Sequence, residues 1–333
     1  MKKRKSPLDG YYSILRKKRL PGYQNCAKIY LDVDLSASES KLVQAHKDGM
    51  ERLPETNQSS GTVSLLQLKI EIARRLLTPC RLCERRCKVD RTTGKTGFCK
   101  VGDSRISSRF IHMGEEPDLI PSYTIFFSGC TFECLFCQNY DISQRVVGSI
   151  LSPEAVARDL DLRFGDVRNV NWVGGEPTPN LPFILEVLNH TKALLPQVWN
   201  SNMYMTHEVV SLLEGIADVY LADFKWGPGE CSKKLSRVHN YWDIVTRNHL
   251  LANHHAEIVL RHLVMPGHTE CCSRPILEWV AKNLDCEKIL VNIMNQYRPE
   301  YKAFTIPEIA RRITDSEYVS VVSLARNLGL QLT

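Results

Sequence analysis

The stretch Phe127-Ser-Gly-Cys130-Thr-Phe-Glu-Cys134-Leu-Phe-Cys137-Gln-Asn-Tyr140 carries three cysteines at C-x3-C-x2-C spacing. Three thiolates on one short loop can wrap one corner of a cubane iron–sulfur cluster, for which thiolates are the usual ligands. With only three supplied, a fourth iron stays open to another molecule, an arrangement that serves chemistry more often than structure. The competing reading is a structural zinc loop, which needs a fourth protein ligand from elsewhere.

Immediately upstream, Tyr123–Phe127 is an apolar, β-favouring run, and it begins a pattern. Similar runs recur at Asn169–Val173, Val198–Asn202, Val219–Phe224, Ile258–Val264 and Ile289–Met294. Between them lie helix-like segments such as Pro153–Phe164, Leu181–Leu195, His207–Gly215 and Arg274–Leu284. Repeated β-α units predict an α/β fold with a parallel sheet. Six strands fit a partial (β/α)6 barrel or an open doubly wound sheet. Polar residues near several strand ends favour the barrel, with a site at its C-terminal mouth.

Those strand ends carry chemistry. Val173-Gly174-Gly175-Glu176-Pro177-Thr178 follows the second strand. Its glycines let backbone approach a ligand closely and its glutamate can take an ammonium, although a tight turn is the ordinary use of such a pair. Asn200 and Asn202 share a face of the third strand, suited to a ribose or carboxylate, or to capping the strand end. Asp223 and Lys225 point to one side of the fourth, with Ala222 and Phe224 toward the helices; they form an ion pair or a polar clamp. On the fifth strand Arg261 and His262 face opposite ways. Arg261 suits bidentate carboxylate binding, His262 suits packing, and His268 is a substrate-side candidate. Asn292, Asn295, Gln296, Tyr297 and Arg298 follow the last strand, to contact substrate or to close the barrel.

With Phe136 just before its last cysteine, the loop resembles the signature of the radical S-adenosylmethionine (SAM) superfamily. In that family SAM chelates the open iron of a [4Fe-4S] cluster. The reduced cluster cleaves the sulfonium to a 5′-deoxyadenosyl radical that abstracts hydrogen. The resemblance spans about 80–303 and is closest to the pyruvate formate-lyase activating enzyme-like branch. It implies Cys130, Cys134 and Cys137 as cluster ligands. Phe136, Gly174, Gly175, Glu176, Asn202, Asp223, Lys225 and Arg261 are implied around SAM, with Glu176 receiving its amino group. It also implies a low-potential electron donor such as flavodoxin or ferredoxin. Gly114-Glu115-Glu116-Pro117 resembles the same branch. Two departures stand out: the family usually has glycine where Met203 stands, and Ile120-Pro-Ser-Tyr123 lacks an expected glycine-rich run.

A second group, Cys80-x2-Cys83-x3-Cys87-x11-Cys99, supplies four thiols. Four thiolates suit tetrahedral zinc or a closed iron–sulfur cluster. Arg81, Arg85, Arg86 and Lys88 among them favour thiolate, and Gly94 and Gly97 allow the return turn. Cys26, Cys231 and Cys286 read as inert singletons, and Cys271-Cys272 as packing.

Seven of the twelve cysteines thus fall between Cys80 and Cys137. With no apparent secretory signal this reads as metal ligation in a reducing compartment, hence cytoplasmic, with nuclear or organellar targeting by the tail left open. No uncharged apolar run is long enough to span a membrane. The net charge of +6 is local: residues 1–30 hold nine Lys/Arg and one Asp, leaving the remaining chain near −2. Lys2-Lys3-Arg4-Lys5 and Arg16-Lys17-Lys18-Arg19 suit a solvated extension or a contact with nucleic acid.

The expected organisation is a basic, flexible extension over 1–62, a helix and four-cysteine metal subdomain over 63–118, and the barrel over 119–333. Ser36 to Gly61 reads as a loosely packed arm. The expected function is hydrogen abstraction from a substrate such as a glycine in a partner enzyme. Radical modification of RNA or a small molecule is the enzymatic alternative, and a zinc-dependent nucleic-acid-binding scaffold is the rival from another class.

Overall fold

The computed structural model describes residues 6–53 and 60–333. Six parallel strands dominate it: β1 (Ser122–Phe127), β2 (Asn169–Gly174), β3 (Gln197–Ser201), β4 (Val219–Asp223), β5 (Glu257–Leu263) and β6 (Ile289–Met294). Their spatial order is their sequence order, each pairing with the next in parallel register. The strands are buried along nearly their whole length, which is why they read as continuous apolar runs. The ends of the strand order do not pair with each other, so the barrel is incomplete. The chain's last residues cover the β6 edge through Val291 and Gln331.

Among the described residues four helices precede β1: α1 (Asp9–Leu15), α2 (Gly22–Lys28), α3 (Glu39–Glu51) and α4 (Leu65–Arg75). The crossovers carry α5 (Pro153–Arg163), α6 (Leu181–His190), α7 (His207–Leu213), α8 (Cys231–Ser236), α9 (Tyr241–His255) and α10 (Arg274–Asn283). Local sequence sets their ends: Ser152 caps α5 ahead of Pro153, and Ser64 with Gln67 forms a reciprocal capping box on α4.

The segment 6–53 is not the loose extension expected. Leu8, just before α1, and Tyr11 within it enter a cluster with Val198, Val219, Leu221, Val259 and Leu290, which line the barrel toward its N-terminal end. The carboxylate of Glu257, at the start of β5, accepts from the N–H groups of Gly10 and Tyr11, and Asn169 at the start of β2 donates to the Tyr11 hydroxyl. This helix plugs the bottom of the barrel. Its aromatic residues explain the ordering, and the tail's positive charge masked them.

The polar arm is likewise helical over Glu39–Glu51, with Leu42 and His46 buried. Lys69 of α4 is fully buried and donates to His46 Nε2 and to the carbonyls of Leu212 and Glu214. The Arg16–Arg19 cluster remains exposed beyond α1. Lys2–Lys5 and residues 54–59 lie outside the described residues.

The sheet crosses the expected boundary at 118. Arg105–His112 pairs antiparallel with β1 and extends the barrel sheet, so the segment holding the four cysteines is continuous with the barrel. The connection over 113–121 is too short for the crossover that a parallel pair would need.

Candidate active site at the mouth of the barrel

The three-cysteine loop leaves β1 at the C-terminal end of the sheet and borders a cavity of about 260 Å³. Every residue that the resemblance implies around cluster and SAM lines this one cavity, from Cys130 to Arg261. Ser143, Asn200, Leu263, Met294 and Gln296 also line it; His268 is not among its lining residues.

Each cysteine sulfur has a hydrogen-bond partner. Cys130 Sγ accepts from the Phe132 N–H, and Asn202 Nδ2 stands 3.8 Å away. Cys137 Sγ is 3.2 Å from Ser143 Oγ and Cys134 Sγ is 3.0 Å from Ser236 Oγ. Trp226 Nε1 donates to Ser236 Oγ, which leaves the serine proton free for Cys134. Burial pushes the Cys134 thiol up to about 12, with Lys225 and Ser236 pulling the other way. Burial raises Cys130 and Cys137 as well. Such sulfurs take a proton unless a cation shares the site, and metal coordination deprotonates a thiol outright.

The glycine pair has a backbone cause. A Cβ on Gly174, whose φ is +129°, would meet Phe127 O at 2.1 Å, and one on Gly175 would meet Gly129 O at 2.0 Å. The close approach is thus to the cysteine loop's own backbone, in addition to bordering the cavity.

Glu176 is buried and heavily engaged. Its Oε1 accepts from Thr178 and from Ser201 Oγ at 2.6 Å, and its Oε2 from the Asn202 N–H at 3.0 Å. Burial raises its carboxyl above the ordinary range, opposed by those donors. One acceptor direction remains on Oε2. Met203, where glycine was expected, has φ +60° and is fully buried. The left-handed backbone a glycine would favour is therefore kept by a larger residue at some conformational cost.

A polar network crosses the mouth. Arg261 donates to Asp223 Oδ1 (3.1 Å), Glu115 Oε2 (3.2 Å) and Asn200 Oδ1 (2.6 Å), while Lys225 pairs with Asp223. Burial alone would raise the Asp223 carboxyl, but Lys225 and Arg261 outweigh it and hold it below the usual range. Burial raises the Glu115 carboxyl, against the pull of Arg261. As alternation requires, Phe224 faces the helices, stacking on His249. His262 packs away from the cavity, between Phe224 O and Ser273 Oγ. Glu115 was legible only as part of a motif, and nothing in its spacing predicts a partner at Arg261. Glu116 similarly accepts from Asn292 of β6. Ser236 and Trp226 carried no sequence signal.

The four-cysteine group abuts this site. Cys99 O lies 2.5 Å from where a Gly129 Cβ would stand, and Arg85 Nε donates to Thr131 O within the cysteine loop. At Cys83 and Cys99 burial outweighs the expected electrostatic activation. Arg81 and Arg86 spend their charge on Glu39 and Glu84, and burial raises the thiols of Cys83 and Cys99.

Donor spacing bears on what either group can hold. Tetrahedral zinc with Zn–S bonds of about 2.3 Å brings its sulfurs to within about 3.8 Å of one another. Among the described residues no three sulfurs of either group lie within 4.8 Å of one another. Three cysteines bordering one cavity match the thiolate donor set of an iron–sulfur cluster.

The radical SAM superfamily model matches residues 124–280. The chain is 47% identical over 276 residues to the uncharacterized protein MJ0674 of Methanocaldococcus jannaschii, covering 81% of this chain and 80% of that one. A solved domain of pyruvate-formate lyase-activating enzyme from Bacteroides vulgatus is 13% identical with a TM-score of 0.40, covering 50% of this chain and 97% of the domain. Streptococcus suis SuiB, bound to its precursor peptide SuiA, is 16% identical with a TM-score of 0.45, covering 61% and 46%. Structural likeness at that level speaks to neither substrate nor partner. The chain belongs to the radical SAM superfamily, whose cofactors are a [4Fe-4S] cluster and SAM. Among the described residues no helix is long and apolar enough to cross a membrane.

Proposed function

We propose that the protein cleaves SAM reductively at the barrel mouth and abstracts hydrogen from a substrate, with Cys130, Cys134 and Cys137 holding the cluster. The single observation that carries this reading is the convergence on one cavity of the three cysteines, Gly174-Gly175-Glu176, Asn202, Asp223, Lys225 and Arg261. Bound there, cluster and SAM supply one-electron, hydrogen-abstracting chemistry. The chain's own residues orient and insulate it. The free acceptor direction on Glu176 Oε2 suits an ammonium, and the Arg261–Asp223–Lys225 network presents donors for a carboxylate. Phe136, edge-on to Trp226, keeps water from the loop.

As to substrate, we favour a protein glycine, because Asp223-x-Lys225 resembles an element of activating enzymes. Fold and cofactor alone do not fix it. The RNA reading draws on the basic tail, yet Arg16–Arg19 follow the helix that plugs the barrel's far end. A flavodoxin- or ferredoxin-type donor and an auxiliary cluster at Cys80, Cys83, Cys87 and Cys99 complete the proposal.

The test is anaerobic reconstitution with iron and sulfide, then reduction with SAM present. We expect 5′-deoxyadenosine from the parent protein and none from Cys134→Ala, and deuterium from a labelled glycyl partner should appear in it. Near-stoichiometric zinc at the three-cysteine loop, with no iron or sulfide after reconstitution, would overturn the reading.

A further inference from the structure

Three side chains read above as an inert singleton, as packing and as a substrate-side candidate meet at a second place. Cys231 opens α8, after the loop leaving β4. His268 and Cys271 follow β5, and Cys271 lies in the π-helical turn Thr269–Ser273, a feature that marks functional sites more often than ordinary helix does. Their ligand atoms all lie within 4.8 Å of one another, and they are the only such group among the described residues.

The spacing is chemically specific. Cys231 Sγ and Cys271 Sγ are 3.8 Å apart, and Cys272 Sγ is 3.8 Å from Cys271 Sγ. A disulfide would need about 2.05 Å. Sulfurs on adjacent corners of a zinc tetrahedron stand about 3.8 Å apart, given Zn–S bonds of about 2.3 Å. His268 is set up as a ligand too. Its Nδ1 lies 2.7 Å from Pro266 O, and a carbonyl can only accept. The proton therefore sits on Nδ1 and the lone pair on Nε2, the backbone anchoring that metal-binding histidines usually show.

The two loops are already fixed against each other. A Cβ on Gly227, in the loop after β4, would meet Cys271 O at 2.2 Å and Cys272 Cα at 2.9 Å. Little further ordering is needed to bring the ligands together.

We propose that Cys231, His268 and Cys271 bind zinc, with Cys272 as a neighbouring third thiol. The ion would staple the β4 and β5 loops beside the catalytic cavity. Trp226 lies between the two places: its ring is edge-on to His268 at 5.9 Å and to Phe136 at 5.5 Å. This inference stands whether or not the cavity holds a cluster.

The experiment uses the full chain, prepared anaerobically and titrated with zinc, and in parallel with cobalt(II) as a spectroscopic probe. We expect Cys271→Ser and His268→Ala each to bind one equivalent fewer than the parent, and the cobalt–thiolate absorption of that equivalent to disappear. Cys271 is exposed, so its serine variant should keep the parent's melting behaviour without metal. Cys83→Ala should keep this equivalent. Unchanged zinc and cobalt stoichiometry in both variants would overturn the proposal. So would unimpeded alkylation of Cys231 and Cys271 in the zinc-saturated parent.

Discussion

The backbone of Gly175 passes so close to the carbonyl of Gly129 that a Cβ on the former would stand 2.0 Å from that oxygen. The turn after β2 and the start of the cysteine loop are therefore one packed unit. Neither can move without the other.

Gly175→Ala should consequently disturb the loop as well as its own turn. Backbone, unlike a flexible side chain, cannot swing aside, and overpacking of this kind costs about 1–3 kcal/mol. We expect a lower melting temperature together with loss of iron incorporation at the three-cysteine loop. A variant that loads iron and melts like the parent would refute the coupling.

Arg261 serves two carboxylates, Asp223 and Glu115. Arg261→Gln leaves both without it, although Lys225 still pairs with Asp223. The expected destabilisation is roughly 2–3 kcal/mol, below the range for a fully buried pair because the side chains keep some solvent contact. Adding Glu115→Gln should recover part of that stability in chemical denaturation while SAM binding stays weak. Full recovery of SAM binding in the double variant would assign Arg261 to structure alone.

Tyr11 tests the plug. Its ring is fully buried at the bottom of the barrel and its hydroxyl accepts from Asn169. Tyr11→Ala should cost about 3–5 kcal/mol, as removal of large core aromatics does. Tyr11→Phe should cost about 1 kcal/mol, since Asn169 keeps its bond to Leu119 O. Urea denaturation of both variants checks the difference, and equal small losses would mean α1 is only loosely applied.

Buried histidines make stability fall in mild acid. Burial, reinforced by Lys69, pushes His46 down to about 2, and burial pushes His249 down to about 4. In the unfolded chain both titrate near 6.5. Above that pH neither state takes the proton, so stability is complete. As pH falls below about 6.5 the unfolded chain binds protons that the folded chain refuses, until the folded values are reached. Each histidine then costs at most about 1.4 kcal/mol per pH unit. Melting temperature should drop between pH 7 and pH 5, and His249→Gln should flatten that slope. An unchanged slope would show that His249 does not carry its share.

Much of the barrel mouth was readable in one dimension. The six strands fall within a residue or so of their expected ranges, because β-α alternation and strand burial are written in local hydrophobic pattern. The C-x3-C-x2-C loop and strand-end polar residues converge for the same reason: a parallel barrel brings all strand C-termini to one face. Sequence by itself determined the superfamily and the end of the barrel at which the implied site residues gather.

Only the tertiary structure decided what is joined across long separations. Tyr11 beneath β2, Glu115 on Arg261, and Gly129 against Gly175 are contacts between segments with no local signal for each other. The same holds for Cys231 with Cys271, forty residues apart and 3.8 Å between sulfurs. Hydrophobic pattern reports which face of an element is buried, not which distant residue it meets. The barrel's curvature and the packing of its loops set that choice.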